Sequence, residues 1–484
     1  MNQSSLKLKN IKKSYLGRIL FEIDELSAYA GDKIAIIGNN GVGKSTLLKL
    51  INNTVQPDEG EVQIDTDFNY LEQIGNPNYV INDSLDFELM SRLSVPDNEN
   101  MSGGEQTKHR IVEMLSNYKM GLLLDEPTTH LDSESIELII EQLEYYYGTL
   151  LFVSHNRHFI NEIANKIWEI KDGIIHEYHG NYDDYIMQKE LAQKSLESKA
   201  EAINNEKERL KKAILKQQQY ASDLNDYNKK TARTHNPGRL GQSKTKDTVQ
   251  KNAFKKAKSI ESRMKQLEDI DLPVEQASLK FPMKQSELIY NRFPIIAQDI
   301  SIRRGDKLLL ENTSFQFQFG KTTVITGPNG SGKSTLLHEI MTNPLIEKSP
   351  KLNIKTYEQM DYKLEVDESI ISYMLRKSDQ QETFIRTILS RLDFKQEELN
   401  KSVNNISGGE ATRIALALLF LQRSNVIIMD EPTNFIDIST IEALEEFIKS
   451  YQGMIILVSH DTDFIKNVAD FIYTTENKRL KQIL

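Results

Sequence analysis

The chain has 484 residues, of which 39% are hydrophobic and 27% charged, and it contains no cysteine. That length suits about three domains, the composition is ordinary for a globular protein, and the lack of cysteine excludes disulfides, thiolate zinc sites and iron–sulfur clusters. The formal net charge is −10, but Lys207 to Lys265 carries 17 Lys and Arg against 5 Asp and Glu, a local +12 that leaves −22 for the remainder. Such asymmetry points to a polyanionic partner near mid-chain. No apolar run approaches the roughly 20 residues of a membrane helix, and Met1-Asn-Gln-Ser-Ser-Leu-Lys lacks the apolar core of a signal peptide. A cytoplasmic protein with no membrane contact is therefore expected.

Taken in order, Leu6, Leu8 and Ile11, then Leu20, Ile23 and Leu26, predict two opening strands. Tyr15 lies between them and reads equally as a π partner for an adenine ring and as a half-buried strand residue. The apolar run Ile34 to Ile37 predicts a buried strand leading into Gly38-Asn39-Asn40-Gly41-Val42-Gly43-Lys44-Ser45-Thr46, with Leu47-Leu48 suiting the first turns of a helix. The pattern G-x-x-x-x-G-K-[ST] between strand and helix is a phosphate loop. Its glycines let backbone N–H groups point at phosphate oxygens, its lysine reaches the β- and γ-phosphates, and its serine hydroxyl goes to Mg²⁺. Further on come Gln73, the turn Ser102-Gly103-Gly104-Glu105 before an amphipathic stretch, and the apolar strand Leu122 to Leu124 ending in Asp125-Glu126-Pro127-Thr128. Leu131-Asp132 and Phe152-Val153-Ser154-His155 close the series.

From about Ile186 to Asp271 strand character disappears and Lys, Glu, Gln and Ala dominate. Leu196, Ile203 and Leu210 recur every seven residues, and Val249, Ala253, Ala257, Ile260, Met264 and Leu267 step by fours and threes beyond the turn signal Thr234-His-Asn-Pro237-Gly238. This predicts two antiparallel helices in a hairpin, with a helix over Gln188 to Tyr220. Most of its charge is a solvated face. The tip gathers Lys229, Lys230, Arg233, Arg239, Lys244 and Lys246 with Tyr220 and Tyr227, groups that suit RNA phosphates and exposed bases.

The series then repeats as Gly327-Pro328-Asn329-Gly330-Ser331-Gly332-Lys333-Ser334-Thr335, Gln359, Ser407-Gly408-Gly409-Glu410, Asp430-Glu431, Ile436-Asp437 and His460. The second signature turn, acidic pair and histidine each lie 305 positions after the first, whereas Gln359 lies 286 after Gln73. A register this constant is a duplication.

Phosphate loop, glutamine, Ser-Gly-Gly turn, acidic strand and histidine, in that order and twice, resemble the ATP-binding cassette. With no membrane segment and a charged helical linker, the chain is similar to the ABC-F subfamily of ribosome-acting ATPases, and Trp168 to Tyr185 also resembles that subfamily. The resemblance implies an α/β fold of two tandem ABC-type P-loop ATPase domains, residues 1–185 and 286–484, joined by a long α-helical hairpin linker, residues 186–285 with its tip at about 220–248. It implies two ATP sites within one monomer, each pairing a phosphate loop with the opposite signature turn: Gly38 to Thr46 with Ser407 to Glu410, and Gly327 to Thr335 with Ser102 to Glu105. Ser45, Asp125 and Gln73 would hold Mg²⁺ at one site, and Ser334, Asp430 and Gln359 at the other. Glu126 and Glu431 would polarise the attacking water and His155 and His460 would contact the γ-phosphate. Where the first half has Tyr15 the second has Arg303-Arg304-Gly305, and Thr129-His130 stands against Asn434-Phe435. Unequal sites are expected.

The short stretch between Gln73 and Ser102 leaves no room for the extra arm of housekeeping members, which directs the resemblance to the antibiotic-resistance group. Within it, Tyr145-Tyr-Tyr-Gly-Thr and Tyr290 to Ala297 are most similar to the macrolide–streptogramin B type. The implied partner is the bacterial ribosome at its exit site, including 23S rRNA and the P-site tRNA, with the linker displacing the drug directly or through rRNA. A housekeeping factor for stalled ribosomes and the ATPase subunit of an efflux pump are the alternative readings. A DNA-repair ATPase is disfavoured because each cassette is uninterrupted.

Overall fold

The computed structural model describes residues 3–15, 17–72, 85–95, 101, 103–232, 243–265, 267, 279, 281, 289–357 and 366–484. Gln73, Ser102, Arg233, Arg239 and Gln359 lie outside the described residues. The chain forms two compact units, residues 1–185 with 278–484, and residues 186–277.

In the first unit, the N-terminal half builds a nine-stranded sheet. From edge to edge its strands are Glu59–Ile64, Ser4–Tyr15, Arg18–Tyr29, Ile174–His179, Lys166–Lys171, Lys33–Ile37, Thr149–Val153, Gly121–Asp125 and Phe68–Leu71. Lys33–Ile37 pairs in parallel with strands on both sides. The fully buried apolar runs Leu122 to Leu124 and Leu150 to Val153 are what a parallel sheet covered on both faces requires. The stretch from Trp168 onward supplies the last hairpin of this sheet, and the Trp168 indole is fully buried and donates to Glu177 Oε2 at 3.0 Å.

The C-terminal half repeats the parallel layer with Ile354–Thr356, Val426–Asp430, Met454–Val458, Thr322–Thr326, Phe471–Glu476 and Arg479–Gln482. Here Lys307–Phe317, Ile295–Arg304 and Glu347–Lys348 form a separate three-stranded sheet. In the N-terminal half one parallel pairing, Glu22 with Ile174, fuses the two layers. Both phosphate loops, both acidic pairs and both histidines follow the C-terminal ends of parallel strands, the edge at which open α/β sheets bind ligands.

The second unit is helical. The first linker helix, Tyr182–Ala232, has 51 residues, about 75 Å at the α-helical rise. It is longer than the Gln188–Tyr220 segment read from the heptads; no glycine or proline interrupts the chain before Pro237-Gly238. The second helix spans Ser243–Lys265, and Arg263 pairs with Glu206 of the first at 3.6 Å. Lys229 and Lys230 fall on the first helix, Lys244 and Lys246 on the second. Among the described residues no helix is long and apolar enough to cross a membrane.

Candidate active site

Each phosphate loop joins a buried strand to a helix, Lys44–Ile51 or Lys333–Thr342. Gly38 has φ 145°, and a Cβ there would meet the Ile170 carbonyl oxygen at 2.6 Å, so the turn admits only glycine. Lys44 Nζ bridges the carbonyls of Gly38 and Asn39 at 2.6 and 3.1 Å, and Lys333 Nζ those of Gly327 and Pro328 at 2.9 Å each. Both lysines are buried, and burial pulls each below the usual ammonium range.

The acids sit where their strands end. Ser45 Oγ donates to Asp125 Oδ1 at 3.0 Å, and Asp125 is buried, which raises its carboxyl. Asp430, its counterpart, is exposed. Glu126 and Glu431 follow with φ of 53° and 46°, a left-handed backbone that is strained for glutamate and concentrates at functional sites. The strand hydrogen bonds Glu126 N to Val153 O and Glu431 N to Val458 O, both 3.0 Å, hold it. His155 Nε2 lies 3.3 Å from Glu126 Oε1 and His460 Nε2 lies 3.4 Å from Glu431 Oε1.

Burial raises both glutamates to about 7, against the pull of Lys44 and Lys333. Burial also lowers His155 to about 3 and His460 to about 4, helped by the same lysines. The imidazoles are therefore neutral at neutral pH, and these contacts are not ion pairs. Glu126 Oε1, Glu431 Oε1 and His460 Nε2 are buried with no hydrogen-bond partner from the chain. A buried polar group demands a partner, and here the groups converge on each phosphate loop.

The two halves meet at these loops. Asp437 Oδ2 accepts from Asn40 N at 2.8 Å and Phe435 O from Asn40 Nδ2 at 3.1 Å. Reciprocally, Asp132 Oδ2 accepts from Asn329 N at 3.1 Å and His130 O from Asn329 Nδ2 at 3.0 Å. The His130 and Phe435 rings pack edge-on, 5.2 Å apart. The signature turns follow the same crossed pattern. A Cβ on Gly409 would lie 3.5 Å from Asn40 Cβ, and one on Gly104 would lie 3.6 Å from Asn329 Nδ2. Ser407 caps the helix Gly408–Leu421 in a capping box with Glu410. Glu410 is spent on that cap and on Lys401 at 2.8 Å, so it holds the turn.

One cavity of about 850 Å³ runs through this interface, lined by Tyr15, Lys44, Ser45, Asp125, Glu126 and His155 from the first half and Ser407 to Gly409, Glu431 and His460 from the second. Tyr15 ends the strand Ser4–Tyr15 and, 68% exposed, stands at the rim of this cavity. The hairpin registers pair Tyr15 with Arg18 and Arg304 with Lys307, which puts Arg304 at the position equivalent to Tyr15. Asp132 and Asp437 were legible only as members of the repeated series; their reach across the interface was not.

The family described as ABC transporter matches residues 22–79 and 310–434, and a second family with that description matches residues 168–236. The chain is 41% identical over 477 residues to the erythromycin resistance ATP-binding protein MsrA of Staphylococcus epidermidis, covering 97% of each. It is 31% identical over 489 residues to the ribosome protection protein VmlR of Bacillus subtilis (strain 168), covering 99% of this chain and 88% of that one. Its fold is shared with an RNase-L inhibitor at a TM-score of 0.62 and 15% identity, covering 98% of this chain and 90% of that one.

Proposed function

We propose, because the chain belongs to the ABC-F branch of the ATP-binding cassette ATPases, that ATP closes its two halves on each other and that the closed form binds the bacterial ribosome at the exit site. There the linker tip would reach toward the peptidyl-transferase centre and displace a macrolide or streptogramin B, and hydrolysis would reopen the halves. The observation that carries this reading is the crossed contact of each phosphate loop with the other half's aspartate and signature turn. Binding energy from nucleotide held between two halves is differential between open and closed states, which is what a population shift needs. The resistance and ribosome-protection relatives support the choice of target, and the basic tip supports rRNA as the surface met.

In the proposed sites, Gly38 to Thr46 and Gly327 to Thr335 cradle the phosphates, while Ser102 to Glu105 and Ser407 to Glu410 close from across. Glu126 and Glu431 take the proton of the attacking water, and His155 and His460, neutral, donate to the γ-phosphate. Among the described residues no three His, Cys, Asp or Glu side chains form a metal cluster, so Mg²⁺ would rest on Ser45 and Asp125 or Ser334 and Asp430, with Gln73 or Gln359, and share its remaining positions with phosphate and water. The buried, raised Asp125 fits a cation at that place. When bound, the ion neutralises charge developing on the transferring phosphoryl group.

The test is a translation assay in which the purified protein is added to drug-inhibited ribosomes. Protection that needs ATP supports the reading, and no protection from any macrolide or streptogramin B rejects it. Two further outcomes are expected of the sites. Tyr15→Ala raises the ATP concentration for half-saturation about tenfold, within the ~1–3 kcal/mol of base–aromatic stacking, and Arg304→Ala less; equal small effects remove Tyr15 from the adenine. The glutamates must be ionised to act, so with carboxyls at about 7 kcat/KM falls as pH drops below 7 and levels above it. A profile flat from pH 5.5 to 8 rules the carboxylates out as bases.

A further inference from the structure

Beside the nucleotide sites the halves share a contact that the duplication does not repeat. Arg157 begins the helix Arg157–Ile163, two positions after His155, and is 9% exposed; Glu445, on the helix Ile438–Ser450 of the other half, is 7% exposed. Arg157 Nη1 lies 3.1 Å from Glu445 Oε1, and Glu445 Oε2 accepts from Asn467 Nδ2 at 3.0 Å. Asp461 faces the same guanidinium: burial pushes its carboxyl up, while the Phe464 N–H and then Arg157 pull it back. The offset of 305 that relates the halves makes Thr462 the counterpart of Arg157 and Ile140 the counterpart of Glu445. Neither charge exists on the other side.

The same short helix also grips the start of the linker helix. Asn161 Nδ2 donates to Asp183 Oδ2 and Asp183 N donates to Asn161 Oδ1, both at 3.1 Å. One helix thus follows His155, pairs with the opposite half and holds the linker helix's first turn.

A buried ion pair is weak evidence for stability, because desolvation offsets attraction, but losing one partner strands the other charge. Here Nε and Nη2 of Arg157 have no hydrogen-bond partner from the chain, so the guanidinium relies on carboxylates of the opposite half. A separation of the halves would withdraw those carboxylates. We propose that Arg157 and Glu445 are positioning residues forming a one-sided latch, which fixes His155 at the Lys44 site on closure and makes that site the later of the two to open. The latch rests on the reading that ATP closes the halves.

The test uses the full chain carrying one fluorophore on each half, with closure followed against ATP concentration and ATPase rates measured in parallel. Glu445→Gln raises the ATP concentration for half-closure about tenfold or more, moving KM further than kcat. Arg157→Lys, which keeps the charge facing Glu445 and Asp461, shows less of the shift than Arg157→Gln, which a loss of folding stability alone would not do. The shift persists when only the Lys44 site is left, in Lys333→Ala, and vanishes in Lys44→Ala. If wild type closes and Glu445→Gln closes at the same ATP concentration, the latch is wrong. Should Glu445→Gln not fold, an Arg157→Lys protein closing no better than Arg157→Gln overturns the latch equally. A wild type that ignores ATP removes the closure reading itself, and the latch with it.

Discussion

Glu126→Gln combined with Glu431→Gln leaves ATP bound and lowers turnover by about 10²–10⁴-fold, the usual contribution of a positioned general base. The reasons are local. Both glutamates occupy a left-handed backbone at the ends of buried strands, and each turns a buried carboxylate oxygen toward a neutral histidine, with a phosphate-loop lysine nearby. Glutamine keeps the shape and the close approach to histidine but cannot take a proton. The phosphate-loop amides and lysines are untouched, so affinity survives. ATPase rates with equilibrium nucleotide binding check both halves of the statement. Single variants should differ, because Asp125 is buried and hydrogen-bonded to Ser45 while Asp430 is exposed. A double variant with near-normal hydrolysis would remove the glutamates from the mechanism.

The second large effect is expected at the linker. Replacing Lys229, Lys230, Arg233, Arg239, Lys244 and Lys246 together by glutamine weakens ribosome binding about 100-fold or more near physiological salt, and flattens its salt dependence. Each cation that neutralises a phosphate releases a counterion, so losing several lowers both the affinity and the slope of its logarithm against log salt. ATPase activity without ribosomes stays at the wild-type level, since none of these residues belongs to a phosphate loop, a signature turn or an acidic strand. Co-sedimentation across a salt series reads affinity and slope at once. Unchanged affinity with an unchanged slope would make the charges mere solubilisers.

Much of the fold was legible because the duplication supplies its own control. A lone Asp-Glu or histidine is commonplace, but Asp125-Glu126 and His155 recurring 305 positions later restrict the reading to one family of sites. The buried parallel strands announced themselves as apolar runs bounded by glycine and acids. What could not be read were contacts between residues hundreds of positions apart. Asn40 with Asp437 and Asn329 with Asp132 carry no local signature, since asparagine and aspartate suit turns and helix caps anywhere. Asp132 and Asp437 do cap helices as well. Arg157 carries no signature of its own in the sequence, and only its burial against Glu445 distinguishes it. The left-handed glutamates were equally hidden, because backbone strain is imposed by surrounding packing rather than by side-chain type. The linker helix outran its heptads because no glycine or proline breaks the chain where the apolar spacing ends.

The most direct measurement is ribosome co-sedimentation of the Glu126→Gln, Glu431→Gln protein with ATP or with ADP. Stable binding with ATP and little with ADP is the expected result, since only a nucleotide held between phosphate loop and opposite signature turn keeps the halves closed. Binding that is equal in the two nucleotides, or absent in both, would contradict nucleotide-driven docking on the ribosome.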